Sequence, residues 1–182
     1  WYHYSIWYLR NGKKNILQRN DVMFGFGRKK VENIMAPVSG RVVALPLVPD
    51  ATFAEKMLGD GIAVEPREGR ILAPCAGTLT MVSETGHAFA LTTEGGLEVL
   101  VHIGLDTVKM QGQGFKQLLP AGSKVKAGDP VVDIDLQLIK QAGHATITPV
   151  VITNMEKVKR MKQTDYTDCF ANRTVLLSVT LA

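Results

Sequence analysis

The stretch from residue 84 to residue 108 is E-T-G-H-A-F-A-L-T-T-E-G-G-L-E-V-L-V-H-I-G-L-D-T-V. It holds two of the four histidines of the chain, His87 and His102, which lie 15 residues apart (102 − 87). Each histidine stands where a glycine-bearing turn meets an apolar run, and the turn sequence Thr-Glu-Gly-Gly lies between them. This order is typical of a β-hairpin, and it predicts two imidazoles on one surface.

The remainder of the chain consists of short β-rich runs broken by glycine and proline. The motif A-P-x-x-G followed by a strand-like run occurs twice, at residues 36–45 and 73–82, which is an offset of 37 residues (73 − 36). Because regularly spaced strands indicate a sandwich or barrel, we predict an all-β, antiparallel β-sandwich or barrel of duplicated halves with short helical turns. We expect helical turns near residues 53–58 and 136–141, and further strands at residues 62–65, 131–135, 148–154 and 174–181.

The charge of the chain is unevenly distributed. The 182 residues carry a net charge of +4, but residues 1–30 hold seven basic residues and one acidic residue, so the remainder carries +4 − 6 = −2. The domain therefore lacks a basic stripe, which argues against nucleic-acid binding. Its two cysteines lie in unrelated contexts without C-x-x-C spacing, which favours a reducing cytoplasm over a disulfide framework. No apolar run reaches the ~18 residues of a membrane-spanning helix.

Residues 1–33 differ in composition from residues 34–182, which we interpret as one folded domain. Seven of the twelve aromatic residues of the chain fall in this leader, among lysines and arginines and without the period of a helix or a strand. One interpretation is a linker or poorly ordered tail. The other is an anchor that touches the membrane surface, because aromatic and basic side chains together favour the headgroup region. Since the chain begins at Trp1 rather than methionine, the leader is also interpretable as a junction within a longer polypeptide.

The histidine pair suggests phosphoryl or proton transfer. Neutral imidazole has a free lone pair near neutral pH, and two nearby imidazoles disfavour each other's protonation. Thr85 precedes His87 by two residues, so its hydroxyl can fix the tautomer of that ring. Zinc is the competing ligand, but two imidazoles are only half of a tetrahedral shell. No third ligand is evident from the spacing, although Asp50 or Asp106 could supply one. A structural role is the expectation for the other histidines, His3 and His144.

The segments T-G-H-A-F and L-V-H-I-G-L-D-T-V resemble the glucose-type EIIA domain of the bacterial phosphoenolpyruvate-dependent sugar phosphotransferase system. The resemblance covers residues 34–158 and implies a β-sandwich phosphocarrier. Further motifs carry it: A-P-V-S-G at 36–40, V-P-D at 48–50, F-A-E-K-M-L-G-D-G-I-A-V at 53–64, G-Q-G-F at 112–115, V-K-A-G-D at 125–129 and T-P-V-V-I-T-N-M at 148–155.

By this resemblance, His102 accepts a phosphoryl group from phospho-HPr and passes it to a cysteine of the EIIB domain during sugar uptake. His87 would stabilise the phosphate and Thr85 would orient His87. No cofactor is required beyond the phosphohistidine, and zinc at the two histidines would be adventitious or regulatory. The expected location is cytoplasmic, at the inner face of the membrane if the domain is fused to a transporter.

The partner surface is expected around the histidines. Asp50 and Asp106 match acidic residues that flank the site in the family. Five apolar residues are candidates for the docking patch or for the core beneath it: Phe53, Met57, Ile62, Val64 and Phe89. Family members tend to have a glycine turn before the last strand. Here Ala-Asn-Arg at 171–173 takes that place, and Asn172 can adopt a positive φ.

Three alternatives to a phosphocarrier stay open. The first is a regulatory module that binds sugar permeases or kinases in its unphosphorylated form. The second is a zinc-dependent β-sheet hydrolase, although the chain lacks the His-x-His pair such an enzyme needs. The third is a biotinyl or lipoyl carrier, suggested by V-K-A-G-D at 125–129, but Lys157 has no evident hairpin around it.

Overall fold

A computed structural model describes residues 30–182. The interpretations of the leader as an anchor, linker or junction lie outside these residues. The strands are β1 Val31–Met35, β2 Gly40–Ala44, β3 Asp60–Pro66, β4 Arg70–Leu72, β5 Gly77–Val82, β6 Ala88–Thr92, β7 Glu98–His102, β8 Phe115–Gln117, β9 Lys124–Val125, β10 Pro130–Ile134, β11 Thr148–Ile152, β12 Val158–Gln163, β13 Asp168–Cys169 and β14 Val175–Leu181. The helices are α1 Ala51–Ala54 and α2 Leu136–Gln141, with 3₁₀ turns at Leu45–Leu47, Thr107–Met110 and Met155–Lys157.

The strands form one large sheet and two small ones, and every strand pair is antiparallel. The eight-stranded sheet has the order β13-β2-β3-β11-β7-β6-β5-β9, and the three-stranded sheets have the orders β1-β14-β12 and β4-β10-β8. Reversing the order of the large sheet exchanges β13 with β9, β2 with β5, β3 with β6 and β11 with β7, so its two halves correspond strand for strand. The prediction of an all-β fold with duplicated halves is confirmed.

The repeated A-P-x-x-G motif joins the two halves. The amide of Met35 donates to the carbonyl of Pro74 at 2.7 Å, and the amide of Leu72 donates to the carbonyl of Pro37 at 2.8 Å. These two bonds exchange under the 37-residue offset of the repeat. Its glycines allow the close approach of the next strand, since a Cβ on Gly40 would lie 2.0 Å from the nearest carbonyl oxygen and one on Gly77 2.4 Å.

Several predicted boundaries shift when the strands pair. Strand β1 begins at Val31 and pairs with β14, so residues 31–33, which the sequence assigned to the leader, belong to the domain. Helix α2 lies at the predicted residues. Helix α1 begins two residues before the predicted turn because the Asp50 side chain accepts from the amide of Thr52 at 2.8 Å and caps it. The predicted positive φ of Asn172 is confirmed at 52°.

Two apolar clusters fill the interior. The larger lies between the sheets, and it includes Ile62 and Val64. The smaller lies beneath the histidine pair and contains Phe53, Leu105 and Val151. Folding therefore places a packed apolar layer directly under the surface that carries the histidines.

Candidate active site

The two histidines lie side by side at one end of the β6–β7 hairpin. His102 is the last residue of β7 and faces Ala88 in the register, while His87 immediately precedes β6. The amide of Ile103 donates to the carbonyl of His87 at 2.7 Å and extends the pairing past both rings. The ring centroids are 5.2 Å apart with an interplanar angle of 73°. The predicted hairpin with two imidazoles on one surface is confirmed.

One ring nitrogen of His102 is fixed by the backbone. Its Nδ1 lies 2.8 Å from the carbonyl oxygen of Gly104. A carbonyl can only accept, so Nδ1 must carry the ring hydrogen and Nε2 keeps its lone pair when the ring is neutral. Gly104 has a φ of +73°, and a Cβ there would lie 2.5 Å from the Thr107 side chain and 2.7 Å from the Ala145 carbonyl. The loop that supplies the carbonyl therefore requires glycine.

The surroundings of His102 favour the neutral ring. Burial lowers the pKa of His102, and this effect outweighs the Gly104 hydrogen bond and the charge of Asp50, both of which raise the pKa. The buried ring of Phe53 lies 5.3 Å from the imidazole, centroid to centroid, and supplies part of the apolar wall. Since ordinary histidine has a pKa of about 6.5, the ring is mostly uncharged near neutral pH.

Two hydroxyl groups hold the ring of His87. The Oγ1 of Thr85 lies 2.5 Å from Nδ1, and the Oγ of Ser83 lies 3.2 Å from the same atom. Burial lowers the pKa of His87, and the neighbouring His102 lowers it further. The contact with Thr85 agrees with the expectation that this hydroxyl orients the ring. The sequence interpretation missed Ser83, although the spacing S-x-T-x-H at residues 83–87 was a signal for it.

The two acidic residues lie on loops beside the pair. Asp50 caps α1, and its charge acts on His102. Asp106 is exposed with a φ of 59° and forms an ion pair with Lys109 at 2.9 Å. The hydrogen bond from Lys109, followed by its charge, holds the pKa of Asp106 below its ordinary value. The charge of His144 acts in the same direction, so this histidine lies near Asp106.

The structure corrects part of the expected partner surface. Phe89 is 0% exposed and Phe53 is 4% exposed, so both belong to the core and neither can touch a partner. Phe89 follows Ala88, which shares the face of His102, and alternation along β6 therefore turns Phe89 to the interior. Met57 is 70% exposed and keeps its predicted place on the surface. The sequence interpretation missed Leu47 and Val108, which are exposed on the segments that carry Asp50 and Asp106.

The described residues give no support to a metal site. Between Lys30 and Ala182, no group of three or more His, Cys, Asp and Glu side chains is placed to hold a metal ion. In the same part of the chain, no helix has the length and apolar character needed to cross a membrane.

Comparison with known proteins identifies the family of the chain. The family model described as phosphoenolpyruvate-dependent sugar phosphotransferase system, EIIA 1, matches residues 32–158. The chain belongs to this EIIA family. It is 45% identical over 148 residues to the glucose-specific EIIA component of Halalkalibacterium halodurans, covering 81% of this chain and 86% of the relative. The solved glucose permease IIA of Mycoplasma capricolum is 34% identical, with a TM-score of 0.71, covering 82% of this chain and 96% of that one.

Some relatives carry the EIIA domain within a larger protein. The glucose-specific EIICBA component of Streptococcus pneumoniae is 45% identical over 164 residues, which are 90% of this chain and 22% of the relative. As an EIIA protein, the chain is a phosphotransferase component that carries a phosphoryl group through a phosphohistidine during sugar uptake. Nothing in the comparisons favours the regulatory module or the zinc hydrolase as its function.

Proposed function

We propose that His102 is the residue of this EIIA domain that accepts the phosphoryl group, and that Nε2 is the accepting atom. The observation that carries the proposal is the 2.8 Å contact between His102 Nδ1 and the Gly104 carbonyl. It commits the ring hydrogen to Nδ1 and leaves Nε2 as the nucleophile. Burial lowers the pKa of His102 and keeps that lone pair available near neutral pH.

The transfer is a displacement at phosphorus. The Nε2 lone pair of His102 attacks the phosphorus of phosphohistidine on HPr, the phosphorus–nitrogen bond to HPr breaks, and its electron pair returns to the HPr imidazole. The His102 ring now carries positive charge, which the Gly104 carbonyl stabilises through Nδ1–H. In the second step a cysteine thiolate of EIIB attacks the same phosphorus, and the bond pair returns to Nε2. Positioning and charge stabilisation account for most of such a reaction.

His87 is the residue proposed to stabilise the transferred group. When the Thr85 hydroxyl donates to Nδ1 of His87, the ring hydrogen lies on Nε2 and can be donated to a phosphate oxygen. The separation of 5.2 Å between the ring centroids supports this role, because a single phosphoryl group can bridge such a distance. The two histidines therefore have unequal roles, one as acceptor and one as hydrogen-bond donor.

The exposed apolar side chains beside the pair are the proposed docking surface for HPr and the EIIB domain. Large exposed hydrophobic residues mark interaction sites when they are grouped, and here they lie on the segments that carry Asp50 and Asp106. The surface comprises Leu47, Met57, Leu58 and Val108. We propose a cytoplasmic location for the domain, at the inner face of the membrane where EIIA is joined to EIIC as in the EIICBA relatives.

The test is phosphorylation with phosphoenolpyruvate, enzyme I and HPr, followed by intact mass spectrometry. The wild-type chain should gain one acid-labile, alkali-stable phosphoryl group. His102→Ala should gain none, whereas His87→Ala should gain it but fail to pass it to EIIB. His144→Ala is the matched control, because it removes a histidine that lies near Asp106 and should leave both steps intact. Phosphorylation that persists in His102→Ala would refute the assignment of the acceptor.

A further inference from the structure

Two hydroxyl groups converge on a single ring nitrogen of His87. Thr85 Oγ1 lies 2.5 Å from Nδ1, and Ser83 Oγ lies 3.2 Å from it. A neutral imidazole nitrogen has one lone pair and needs one donor, so a single hydroxyl would suffice to set the tautomer. The second hydroxyl is therefore not explained by the orienting role of Thr85.

Ser83 is held firmly in its position. Its Oγ accepts the amide hydrogen of Ala88 at 3.1 Å, and its own amide donates to the Ala88 carbonyl at 2.9 Å. Within residues 30–182, the hydroxyl hydrogen of Ser83 has one acceptor in hydrogen-bonding distance, which is Nδ1 of His87. The serine thus links the first residue of β6 to the ring that precedes it.

We propose that Ser83 is a second positioning residue for His87, which shares Nδ1 with Thr85 and keeps the Nε2–H bond turned toward the phosphoryl group on His102. The inference rests on the proposed role of His87 and deepens it. Neither hydroxyl touches the reacting atoms, so both act through the imidazole.

The pair of hydroxyls suits both charge states of the ring. When His87 is neutral, either hydroxyl can donate to Nδ1, and both arrangements place the ring hydrogen on Nε2. When the ring takes up a proton beside the negatively charged phosphoryl group, Nδ1–H becomes a donor. Each hydroxyl group can then turn its hydrogen away, so that its oxygen accepts from Nδ1–H. Nε2 therefore carries its hydrogen in both charge states. Two hydroxyl groups stabilise this arrangement more than one hydroxyl group would.

The arrangement predicts that Ser83 partly replaces Thr85. Loss of either hydroxyl should leave the tautomer unchanged and slow transfer from His102 to EIIB about threefold, as expected for one neutral hydrogen bond. Loss of both hydroxyls should leave Nδ1 of His87 without a side-chain hydrogen-bond partner, so that neither the tautomer nor the orientation of the ring is fixed. The double variant Ser83→Ala/Thr85→Ala should then slow transfer about a hundredfold, which is more than the product of the single effects, because residues that share one partner are not additive.

The decisive measurement is the tautomer of His87 by ring-nitrogen NMR on the full chain without phosphate, above the pKa of the ring. Wild type and both single variants should show hydrogen on Nε2, and the double variant should show a mixture of tautomers. Ser83→Thr/Thr85→Ala keeps one hydroxyl at position 83 and should match Thr85→Ala in both tautomer and transfer rate. Ser123→Ala is the control, since that hydroxyl bonds the Pro120 carbonyl and should change neither readout.

The outcomes separate this inference from the proposed function. If Ser83→Ala/Thr85→Ala keeps one tautomer, or if its rate equals that of Thr85→Ala, the role of Ser83 is refuted. Ser83→Cys/Thr85→Ala keeps the branching and length of the side chain nearly unchanged and replaces the hydroxyl with a weak thiol donor. It therefore gives the same decision if the double alanine variant does not fold. Phosphorylation of His102→Ala would instead refute the assignment of His102 as the acceptor, and it would not affect the conclusion from the His87 tautomer.

Discussion

Gly104→Ala tests whether a backbone carbonyl makes His102 the acceptor. Gly104 has a φ of +73°, and an added Cβ would lie 2.5 Å from the Thr107 side chain and 2.7 Å from the Ala145 carbonyl. The threonine cannot easily move, because it is 0% exposed and its hydroxyl donates to the Ile103 carbonyl at 2.6 Å. The loop must therefore shift, and the Gly104 carbonyl moves away from Nδ1 of His102.

The structure sets the expected size of this effect. Hydrogen bonds to charged groups contribute about 1.5–3 kcal/mol, and the Gly104 carbonyl bonds the ring when it becomes positively charged on phosphorylation. Since each 1.36 kcal/mol of barrier is about tenfold in rate, transfer from phospho-HPr to His102 should slow by about ten- to a hundredfold. Unfolding free energy should fall by about 1–2 kcal/mol for the left-handed backbone, with about 1–3 kcal/mol more for the clash.

The assay is rapid-quench transfer from radiolabelled phospho-HPr, alongside urea unfolding. Gly122→Ala is the matched control, because its φ of +88° gives the same backbone penalty while a Cβ there meets nothing within 4 Å. The control should lose stability but transfer phosphate at the wild-type rate. If Gly104→Ala matches Gly122→Ala in transfer rate, the carbonyl does not control His102 and the reasoning fails.

Three further outcomes are expected. The pKa values of His87 and His102 are lowered in the fold, so the free energy of unfolding should be constant above the unfolded pKa of about 6.5 and should decline as the pH falls below it. The decline should be smaller in His87→Ala/His102→Ala, and equal pH slopes of the two proteins in urea titrations would contradict this. Phe53→Ala should cost about 3–5 kcal/mol of unfolding free energy by calorimetry, since the ring is buried under His102. Met57→Ala should change stability by less than about 0.5 kcal/mol but raise the KM for phospho-HPr, and an unchanged KM would remove it from the docking surface.

Local sequence patterns predicted much of the fold. The repeated A-P-x-x-G motif predicted the duplicated halves, because proline and glycine constrain the backbone wherever they occur. Helix α2 was placed correctly at residues 136–141. Strand β12 was missed because Val158–Gln163 lacks a clean alternation of apolar and polar residues, and it becomes a strand by pairing with β14, which is distant in sequence. Strand β1 was also missed, and it forms by pairing with β14, which is distant in sequence.

The sequence alone determined that the chain carries two histidines at a hairpin and a threonine spaced to reach one of them. Tertiary structure decided which nitrogen of His102 keeps its lone pair, because the Gly104 carbonyl can only accept, and it brought the Ser83 and Thr85 hydroxyls onto Nδ1 of His87. It also decided that Phe89 is core and Leu47 is surface. Residue type fixes which chemistry is possible, but burial and hydrogen-bond direction depend on contacts between segments that only the assembled sheets bring together.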